Sequence, residues 1–514
     1  MKNKFFSKNL TVITVLLFIF TVFAMADAKM IYLGSYNTGT DGGGEKSSAE
    51  IAKYNPLNEK LFVIVGAADS LVMANMSNLT TEPGNIIETY KTIELSGLVE
   101  GFRIGDITSV AVCKSGRLVG VSAQSESFDR PGRAILLDSE GNFIRAFETG
   151  VQPDMITFTP NGKYLLTADE GEPREGYAEG GVDPMGSLSI INVETGDVTI
   201  VDFSEFDRIR DEITINGLLL KKNARPSADL EPEYIAVSED SSYAYVSMQE
   251  ANAVAKIEIA TGEIEWLKGL GFKDHSQYRN ALDLNKTDKR PVIQTEEVFG
   301  VYMPDGIDIV RIDGKDYLLT ANEGDAREYG DEDSEGFFIN EGEDEELEYG
   351  YLLNEAHDGL AAGTRYVFGA RSFSIYEAET LEQVYDSGSD FEQITAMRFP
   401  KFFNASNDNL KIDNRSDNKG PEPEDVKALQ ISDKVYAFIG LERIGGVMMY
   451  DITDVKDVKF VDYVNTRDFS EEVAGDVAPE GIDVVSAEHS PNGFPLVFVA
   501  NEVSGTVSIF EIIE

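Results

Sequence analysis

One two-part pattern recurs along this chain and constrains its fold more than any other feature. In each copy a proline and an acidic residue open an apolar strand, and roughly 16 to 22 residues later a second strand ends in a glutamate. The opening pairs are Pro153-Asp154, Pro232-Glu233, Pro304-Asp305, Pro423-Glu424 and Pro479-Glu480, and the closing residues are Glu170, Glu250, Glu323, Glu442 and Glu502. Weaker copies around Glu50 and Thr108 bring the total to seven. The repeat predicts an all-β chain folded as a seven-bladed β-propeller.

The two ends of the chain are expected to meet in the last blade. That blade has only three strands of its own, and residues 30–36 form a strand with no blade of their own. We therefore predict that this N-terminal strand closes the ring and removes the free sheet edges. Long loop insertions are expected at about 204–230, 271–300 and 324–420, where they would shape a binding face.

The N-terminus is typical of a secretory signal peptide. Residues 1–26 have a basic start, an apolar run and the small-residue cleavage motif Ala24-Met25-Ala26, although an uncleaved anchor is an alternative. Residues 27–514 are then one propeller domain. No later apolar stretch is long enough to span a bilayer. We expect an extracytoplasmic protein, secreted, periplasmic or at the cell surface, with no membrane span after signal cleavage and no C-terminal anchor.

The composition indicates which partners the protein attracts. It has 91 acidic and 44 basic residues, for a net charge of −47. Such a surface repels nucleic acid and attracts cations, although solubility in salty surroundings is another reason for it. Cys113 is the only cysteine and there are three histidines, so an internal disulfide is excluded and a histidine-rich zinc site is disfavoured. We find no Ser-His-Asp pattern, P-loop or dinucleotide fingerprint.

The acid of the opening pair is the first candidate functional position. In a propeller it starts the innermost strand and projects toward the central axis, and six of the seven copies carry an acid there, Thr108 being the exception. Converging carboxylates repel one another unless cations, arginines, protons or water compensate them. The alternative is that each acid caps the backbone of the neighbouring blade.

A second candidate is the strand-end sequence from Asp169 to Arg174, which is echoed from Asn322 to Arg327 and, more briefly, by Glu442-Arg443. Carboxylates beside a guanidinium suit a metal with oxygen ligands or an anion held by two hydrogen bonds. A salt-bridge network between blades is the alternative.

A third candidate is the polar run at 413–420, which resembles a calcium loop in spacing, although Arg415 and Lys419 stand where such a loop avoids cations. Asp283, Asn285 and Asp288 form a weaker fourth candidate. Calcium is the expected ion. The predicted metal ligands are Asp154, Glu170, Asp305, Glu323, Asp325, Asp413, Asp417, Glu424, Glu442 and Glu480, and the predicted anion ligands are Arg174, Arg327, Arg415 and Arg443.

These motifs closely resemble the choice-of-anchor I family, a group of secreted or surface proteins similar to the mesenchyme-specific cell-surface glycoproteins of biomineralising animals. The resemblance extends over nearly the whole mature chain and is carried by Gly34-Ser35-Tyr36, 168–174, 321–329, 371–374, 415–417, 420–424, 440–446, 490–493 and 500–506. It implies a propeller and secretion, and some members are labelled alkaline phosphatases. This chain departs from the family pattern at Asp169, where an asparagine is usual. We expect it to differ as well in having no C-terminal anchor.

Three functions are open at this point. The first is binding of a divalent cation and of a phosphorylated or other anionic ligand at the channel rim. The second is a metal-dependent phosphoesterase, in which carboxylates hold calcium and an arginine clamps phosphate. The third is a non-catalytic structural surface protein. The sequence contains no obvious nucleophile or general base, which favours binding over catalysis and leaves open whether the protein is an enzyme.

Overall fold

Seven antiparallel sheets of four strands each are the main elements of the part of the chain that the structure describes. The structure is a computed structural model, and it describes residues 28–40, 48–330, 334, 336–342 and 349–514. The predicted signal peptide at 1–26 lies outside the described residues. No helix in the described ranges is both long enough and apolar enough to cross a membrane.

The sheets follow one another along the chain, and we number them 1 to 7. In each, the first strand given is at one edge and the others follow in order across the sheet. Their strands are Ala52–Asn55, Lys60–Val65, Ser70–Asn75 and Thr89–Glu94 in sheet 1; Ile104–Val112, Leu118–Ser125, Pro131–Asp138 and Phe143–Val151 in sheet 2; Pro153–Phe158, Tyr164–Asp169, Ser187–Asn192 and Val198–Asp202 in sheet 3; Ile235–Val237, Tyr243–Met248, Ala253–Glu258 and Glu263–Gly269 in sheet 4; Ile307–Ile312, Lys315–Asn322, Ser372–Glu377 and Glu382–Asp386 in sheet 5; Pro423–Ile431, Lys434–Leu441, Val447–Asp451 and Lys459–Val464 in sheet 6; and Pro479–Val485, Leu496–Asn501, Thr506–Ile513 and Lys29–Asn37 in sheet 7.

The hydrophobic core lies between neighbouring sheets rather than inside any one of them. One cluster joins sheets 3 and 4 through residues such as Leu166 and Val254, and another joins sheets 6 and 7 through Phe438 and Val499. The middle strands are therefore apolar on both faces, as in Tyr164–Asp169, whereas the outermost strand Val198–Asp202 is mostly exposed. The first strands of successive sheets contact one another, including those of sheets 7 and 1. This arrangement is a β-propeller, as the sequence predicts.

The N-terminal strand is the fourth strand of sheet 7. Lys29–Asn37 pairs antiparallel with Thr506–Ile513, and Met30, Leu33 and Tyr36 are buried there. Burying large apolar side chains contributes about 1.5–3 kcal/mol each, so this strand is a substantial part of the last sheet.

We expect a protein that begins at residue 48 to aggregate or to unfold without a cooperative transition, because the edge at Thr506–Ile513 would be exposed. Light scattering and thermal unfolding measure this, with a protein beginning at Ala28 as the matched control. Identical melting of the two proteins would show that the strand is dispensable.

The insertions contain short additional elements. Helices are Arg210–Ile213, Pro226–Asp229 and Asp390–Arg398, with 3-10 turns at Ser204–Arg208 and Tyr278–Asn280. A further 3-10 turn, Gly66–Ala68, connects the second and third strands of sheet 1. Short strands pair Leu220–Lys221 with His357–Asp358, Glu328–Tyr329 with Phe338–Ile339, and Glu341–Gly342 with Tyr351–Leu352, and a three-stranded sheet contains Phe272–Asp274, Phe299–Val301 and Tyr366–Val367.

The predicted insertion at 324–420 is in fact two insertions. Ser372–Glu377 and Glu382–Asp386, which lie in its middle, are the third and fourth strands of sheet 5. The alternation of Ser372, Phe373, Ser374 and Ile375 is the period of a strand, but it is separated from the second strand of its own sheet by a long polar stretch. One insertion therefore lies within sheet 5 and the other lies between sheets 5 and 6.

Candidate metal centre

The opening proline is preceded by an unusual backbone conformation in four copies. Gln152, Met303, Glu422 and Ala478 each come directly before it and have φ of 56, 46, 49 and 62°. Residues other than glycine seldom adopt positive φ, and each such residue costs on the order of 1 kcal/mol or more. The same positive φ recurs at one position of the repeat, so the surrounding fold must favour this backbone turn before the proline.

A β-bulge then follows the turn in three copies. The pairing register shifts between Pro153 and Ile156, between Pro423 and Val426, and between Pro479 and Ile482. Bulges re-aim side chains, and the residues placed in these three are Asp154, Glu424 and Glu480.

The glutamate that directly follows the second strand is hydrogen-bonded to the same turn. The backbone N–H groups of Glu170, Glu442 and Glu502 donate to the carbonyls of Gln152, Glu422 and Ala478 at 3.0, 2.8 and 2.9 Å. Both acids of a copy are therefore held at one end of the sheet. Glycine after the glutamate makes this possible in sheets 3 and 5, because a Cβ on Gly171 would lie 2.7 Å from the Met185 backbone, and one on Gly324 would lie 2.1 Å from the Gly369 nitrogen.

Residues from all seven copies line one narrow cavity of about 40 Å³. Its carboxylates belong to Glu50, Asp154, Asp305, Glu424 and Glu480, with Asp425 beside them, and the two copies without an acid in the lining contribute Thr108 and Tyr234. The strand-start acids thus converge as the repeat predicts.

Two groups of three carboxylates share Glu424, which lines this cavity; the first group lies entirely in the lining, and the second extends from it. In the first, oxygens of Asp305, Glu424 and Glu480 lie within 4.8 Å of one another, and in the second the same is true of Glu323, Glu424 and Glu442. We call these the lower and upper triads. Glu424 is 7% exposed, and its Oε2 atom has no hydrogen-bond partner.

Burial and mutual repulsion make these acids hard to ionise. Burial, followed by repulsion from Glu323, Glu480 and Asp305, raises the pKa of Glu424 well above its usual range. Burial raises the pKa of Glu442 to about 8, even though Arg443 opposes the shift. Charged carboxylates in such a place need protons or cations to compensate them.

A second group of acids, further along the first strands, is compensated by the protein itself. Lys53 lies 3.3 Å from Asp483, which also accepts the Tyr54 N–H at 2.9 Å. Asp425 contacts Lys427 and accepts the N–H of Ile482 at 2.8 Å. Backbone N–H groups and lysines therefore compensate the charges of Asp483 and Asp425. No such partner reaches the Oε2 atom of Glu424.

The arginines that the sequence marks as anion ligands are bound to carboxylates of the protein. Arg174 lies 3.1 Å from Glu172 and 3.7 Å from Glu170. Arg443 lies 2.8 Å from both Glu422 and Glu442, and Arg415 lies 2.5 Å from Glu422. An anion at these groups would compete with an internal ion pair.

Arg327 differs most from its expected role. Its side chain is fully buried, and it donates to the carbonyls of Glu250 at 2.8 Å and Asp229 at 3.0 Å. The carboxylates of Asp229 and Glu231 are each 3.5 Å away. The group is therefore enclosed by the protein and is not presented at the rim for an anion.

The other predicted metal ligands lie outside the two triads. Burial raises the pKa of Glu170 well above its usual range, and repulsion from Glu172 and then from Asp154 adds to the shift. Burial and repulsion from Asp305 raise the pKa of Asp154. Asp325 is half exposed and contacts Lys419 at 3.0 Å. Asp413 accepts the Ser416 hydroxyl and the Arg290 N–H, and Asp417 pairs with Lys286 at 2.5 Å. The 413–420 run thus uses both acids for internal contacts, unlike a calcium loop.

Glu422 and Lys419 are the site residues that the sequence did not identify. Lys419 lies 3.1 Å from Glu323 and 3.2 Å from Glu422. Burial alone would raise the pKa of Glu422, but Lys419, Arg443 and Arg415 together hold it well below its usual range. The available signal was the doubled Pro-Glu of 421–424, in which only the second copy fits the repeat.

Comparison with known proteins gives one family and a set of distant structural neighbours. The sequence model of the choice-of-anchor I domain matches residues 50–455. Gigasin-3a of Magallana gigas is 31% identical over 178 residues, which are 32% of this chain and 61% of that protein, so the match spans about three fifths of the relative. Hydrazine synthase of Kuenenia stuttgartiensis aligns with a TM-score of 0.48 at 13% identity over 93% of this chain and 99% of that one. The β-propeller domain of Cps50 (Swd1) from Myceliophteria thermophila aligns with a TM-score of 0.45 at 10% identity over 94% and 99% of the two chains.

Proposed function

The chain belongs to the choice-of-anchor I family, and from that premise we propose that it is an extracytoplasmic, seven-bladed β-propeller that binds divalent cations in its central cavity. In this proposal the strand Lys29–Asn37 closes the ring. Two observations support the closed ring: first strands of sheets 7 and 1 are in contact, and all seven copies line one cavity.

The two triads that share Glu424 carry the proposal. All of their ligand atoms are carboxylate oxygens, which suit calcium or magnesium, and calcium accepts the irregular geometry that such a ring offers. The buried Oε2 atom of Glu424 would be satisfied by an ion, in place of a proton shared between the Glu424 and Asp305 carboxyl groups. Neither histidine nor cysteine belongs to these groups, and this speaks against a zinc-selective site.

Binding of an anionic ligand remains a prediction. Because the arginines are already paired with carboxylates, they are not expected to bind the anion directly. With Arg174, Arg415 and Arg443 paired to carboxylates, the positive charge for an anion would come from the bound cation. Anion binding is then expected to require the metal.

A metal-dependent phosphoesterase is the second candidate, and the sharing of Glu424 is the observation that favours it. Two-metal hydrolases clamp the attacking and leaving oxygens between two ions held close together. Hydrolysis of p-nitrophenyl phosphate that requires calcium and is lost in Glu424→Gln would establish this activity. Calcium binding without such hydrolysis would leave the binding function alone.

We expect calcium to raise the thermal midpoint of the protein, because it binds the folded state preferentially. An ion present at 100 times its Kd stabilises by about 2.7 kcal/mol. Glu424→Gln removes one repelling charge and the shared ligand. It is therefore expected to raise the midpoint in chelator and to abolish most of the calcium response. Differential scanning calorimetry measures both effects.

Glu194→Gln, in an exposed turn of sheet 3, is the matched control and should respond to calcium as the native protein does. Sodium chloride at equal ionic strength tests for simple screening. If sodium raises the midpoint as much as calcium does, or if Glu424→Gln keeps the full response, the cavity is not the binding site and the structural role becomes the better account.

A further inference from the structure

A second cavity, of about 310 Å³, has no lining residue in common with the two triads, although Lys419 in its wall contacts Glu323 of the upper triad. Its walls come from the strand end at Glu172, the insertion around Asp325 and Tyr329, and the loop that carries Arg415 and Lys419. Its volume is at the lower end of small-molecule sites, so it would enclose a ligand no larger than an amino-acid side chain or a short amine.

The lining has an excess of negative charge. Five carboxylates and two basic side chains face the cavity. The basic pair is already neutralised, because Lys419 contacts Glu323, Asp325 and Glu422 at 3.0–3.2 Å and Arg415 holds Glu422 at 2.5 Å. The remaining charge favours a cationic ligand.

Two buried polar groups in the lining have no partner. Glu250 is 7% exposed and its Oε2 atom lacks a donor, and Tyr329 is 5% exposed and its hydroxyl lacks a hydrogen bond. Buried polar atoms nearly always form hydrogen bonds, so each of these two atoms can bind a ligand or an ordered water molecule. An acceptor and a hydroxyl together match an N–H donor.

The spacing of the carboxylate oxygens in this cavity favours an organic cation over a metal ion. Within the described residues, the carboxylates that line this cavity do not bring three oxygens within 4.8 Å of one another. The walls also include Tyr329, Phe368 and Ala326, which offer two aromatic rings and a methyl group to an aliphatic stem or a cationic head.

We propose that this cavity binds an amine or guanidinium carried on a short aliphatic stem, either as a free small molecule or as a lysine or arginine side chain of a partner. The Glu250 carboxylate and the Tyr329 hydroxyl take the N–H groups of the head, and Tyr329 and Phe368 pack against it. The proposal does not depend on the metal centre, because neither Glu250 nor Tyr329 belongs to a triad.

Isothermal titration with agmatine tests the proposal on the full-length mature protein. At pH 8.5, where Glu250 is mostly ionised although burial raises its pKa to about 8, we expect saturable binding with one site. Binding should be at least tenfold weaker in Glu250→Gln, which removes the acceptor charge. Tyr329→Phe removes only the hydroxyl and should weaken binding severalfold without disturbing the ring. Glu194→Gln is the control. 1,4-Butanediol, which has the stem without the charge, should not bind.

The same titration with the capped peptide acetyl-Gly-Arg-Gly-amide separates the two sources. Tighter binding of the peptide than of agmatine points to a protein partner, and the reverse points to a free amine. If sodium chloride at equal ionic strength gives the same heat, or if Tyr329→Phe and Glu250→Gln both bind agmatine as the native protein does, the proposal is wrong. Should Glu250→Gln fail to fold, Tyr329→Phe decides the outcome.

The experiments distinguish failure of the amine-site proposal from failure of the metal-site proposal. Glu424→Gln should lose the calcium response and keep agmatine binding, whereas Glu250→Gln should lose agmatine binding and keep the calcium response. Loss of agmatine binding in Glu424→Gln would assign both ligands to one site and would overturn the separate amine site.

Discussion

Replacing Arg327 by alanine is expected to lower the free energy of unfolding by about 3–5 kcal/mol. The guanidinium is fully buried between Asp229 and Glu231, whose side chains are 2% exposed. Removing it would leave two buried carboxylates without their cation and two buried carbonyls, those of Glu250 and Asp229, without a donor. An effect of this size is large against the total stability of an ordinary protein.

Urea unfolding measures the change, with Arg208→Ala as the matched control. Arg208 is exposed on the 3-10 turn Ser204–Arg208, and its replacement should alter stability by less than about 0.5 kcal/mol. Calcium should still raise the midpoint of the Arg327→Ala protein, because Arg327 is outside both triads. A loss of less than about 1 kcal/mol would mean that the cluster around Asp229 and Glu231 is compensated by other groups.

This expectation reverses what the repeat alone suggests for Arg327. From the sequence, 322–327 is an echo of 169–174, and loss of its arginine should weaken anion binding and leave the ring folded. The two segments do begin alike, since Glu170 and Glu323 both directly follow the second strand of a sheet. They diverge after the glycine, where Glu328–Tyr329 pairs with Phe338–Ile339 in a hairpin that belongs to the insertion. The neighbours of Arg327 are set by the path of that insertion.

The same distinction separates what could be predicted from what could not. The strand-start acids converge because each occupies one position of a repeat, and a repeat fixes the angle and height of its copies about an axis. The acidic cavity was therefore accessible to sequence reasoning. Lys419 reaches Glu323 from the insertion that precedes sheet 6, and no periodicity relates the two residues. Charge alone does not identify a partner 96 positions away along the chain.

Raising the pH from 6.5 to 8.5 in the presence of chelator is expected to lower the thermal midpoint by about 5–10 °C. Burial raises the pKa of both Glu442 and Glu250 to about 8, and that of Asp154 to about 7. In the unfolded chain such groups titrate near pH 4. Between these values the folded state holds more protons than the unfolded state, so stability decreases as pH rises through the folded pKa values. A carboxylate with a folded pKa of about 8 loses on the order of 2 kcal/mol over this interval.

The interval is chosen to exclude the two buried histidines. Burial lowers the pKa of His275 and His357 to about 3, so they destabilise the folded state only where the unfolded chain is protonated, below about pH 6.5. Their effect has the opposite sign and is confined to lower pH. The depressed pKa of Glu422 likewise acts only near and below its unfolded value. Above pH 6.5 the carboxylates with raised pKa values therefore dominate the trend.

Calcium should remove the part of this pH dependence that comes from the triads, because a bound ion takes the place of the protons that the triads lose. Calorimetry in saturating calcium and in chelator at both pH values gives four midpoints. We expect calcium to raise the midpoint far more at pH 8.5 than at pH 6.5, and Glu442→Gln to flatten the chelator curve, because it removes one of the titrating groups of the upper triad. Glu194→Gln should keep the native curve. A midpoint that rises with pH in chelator, or a calcium effect equal at the two pH values, would contradict the coupling of protons and metal in the central cavity.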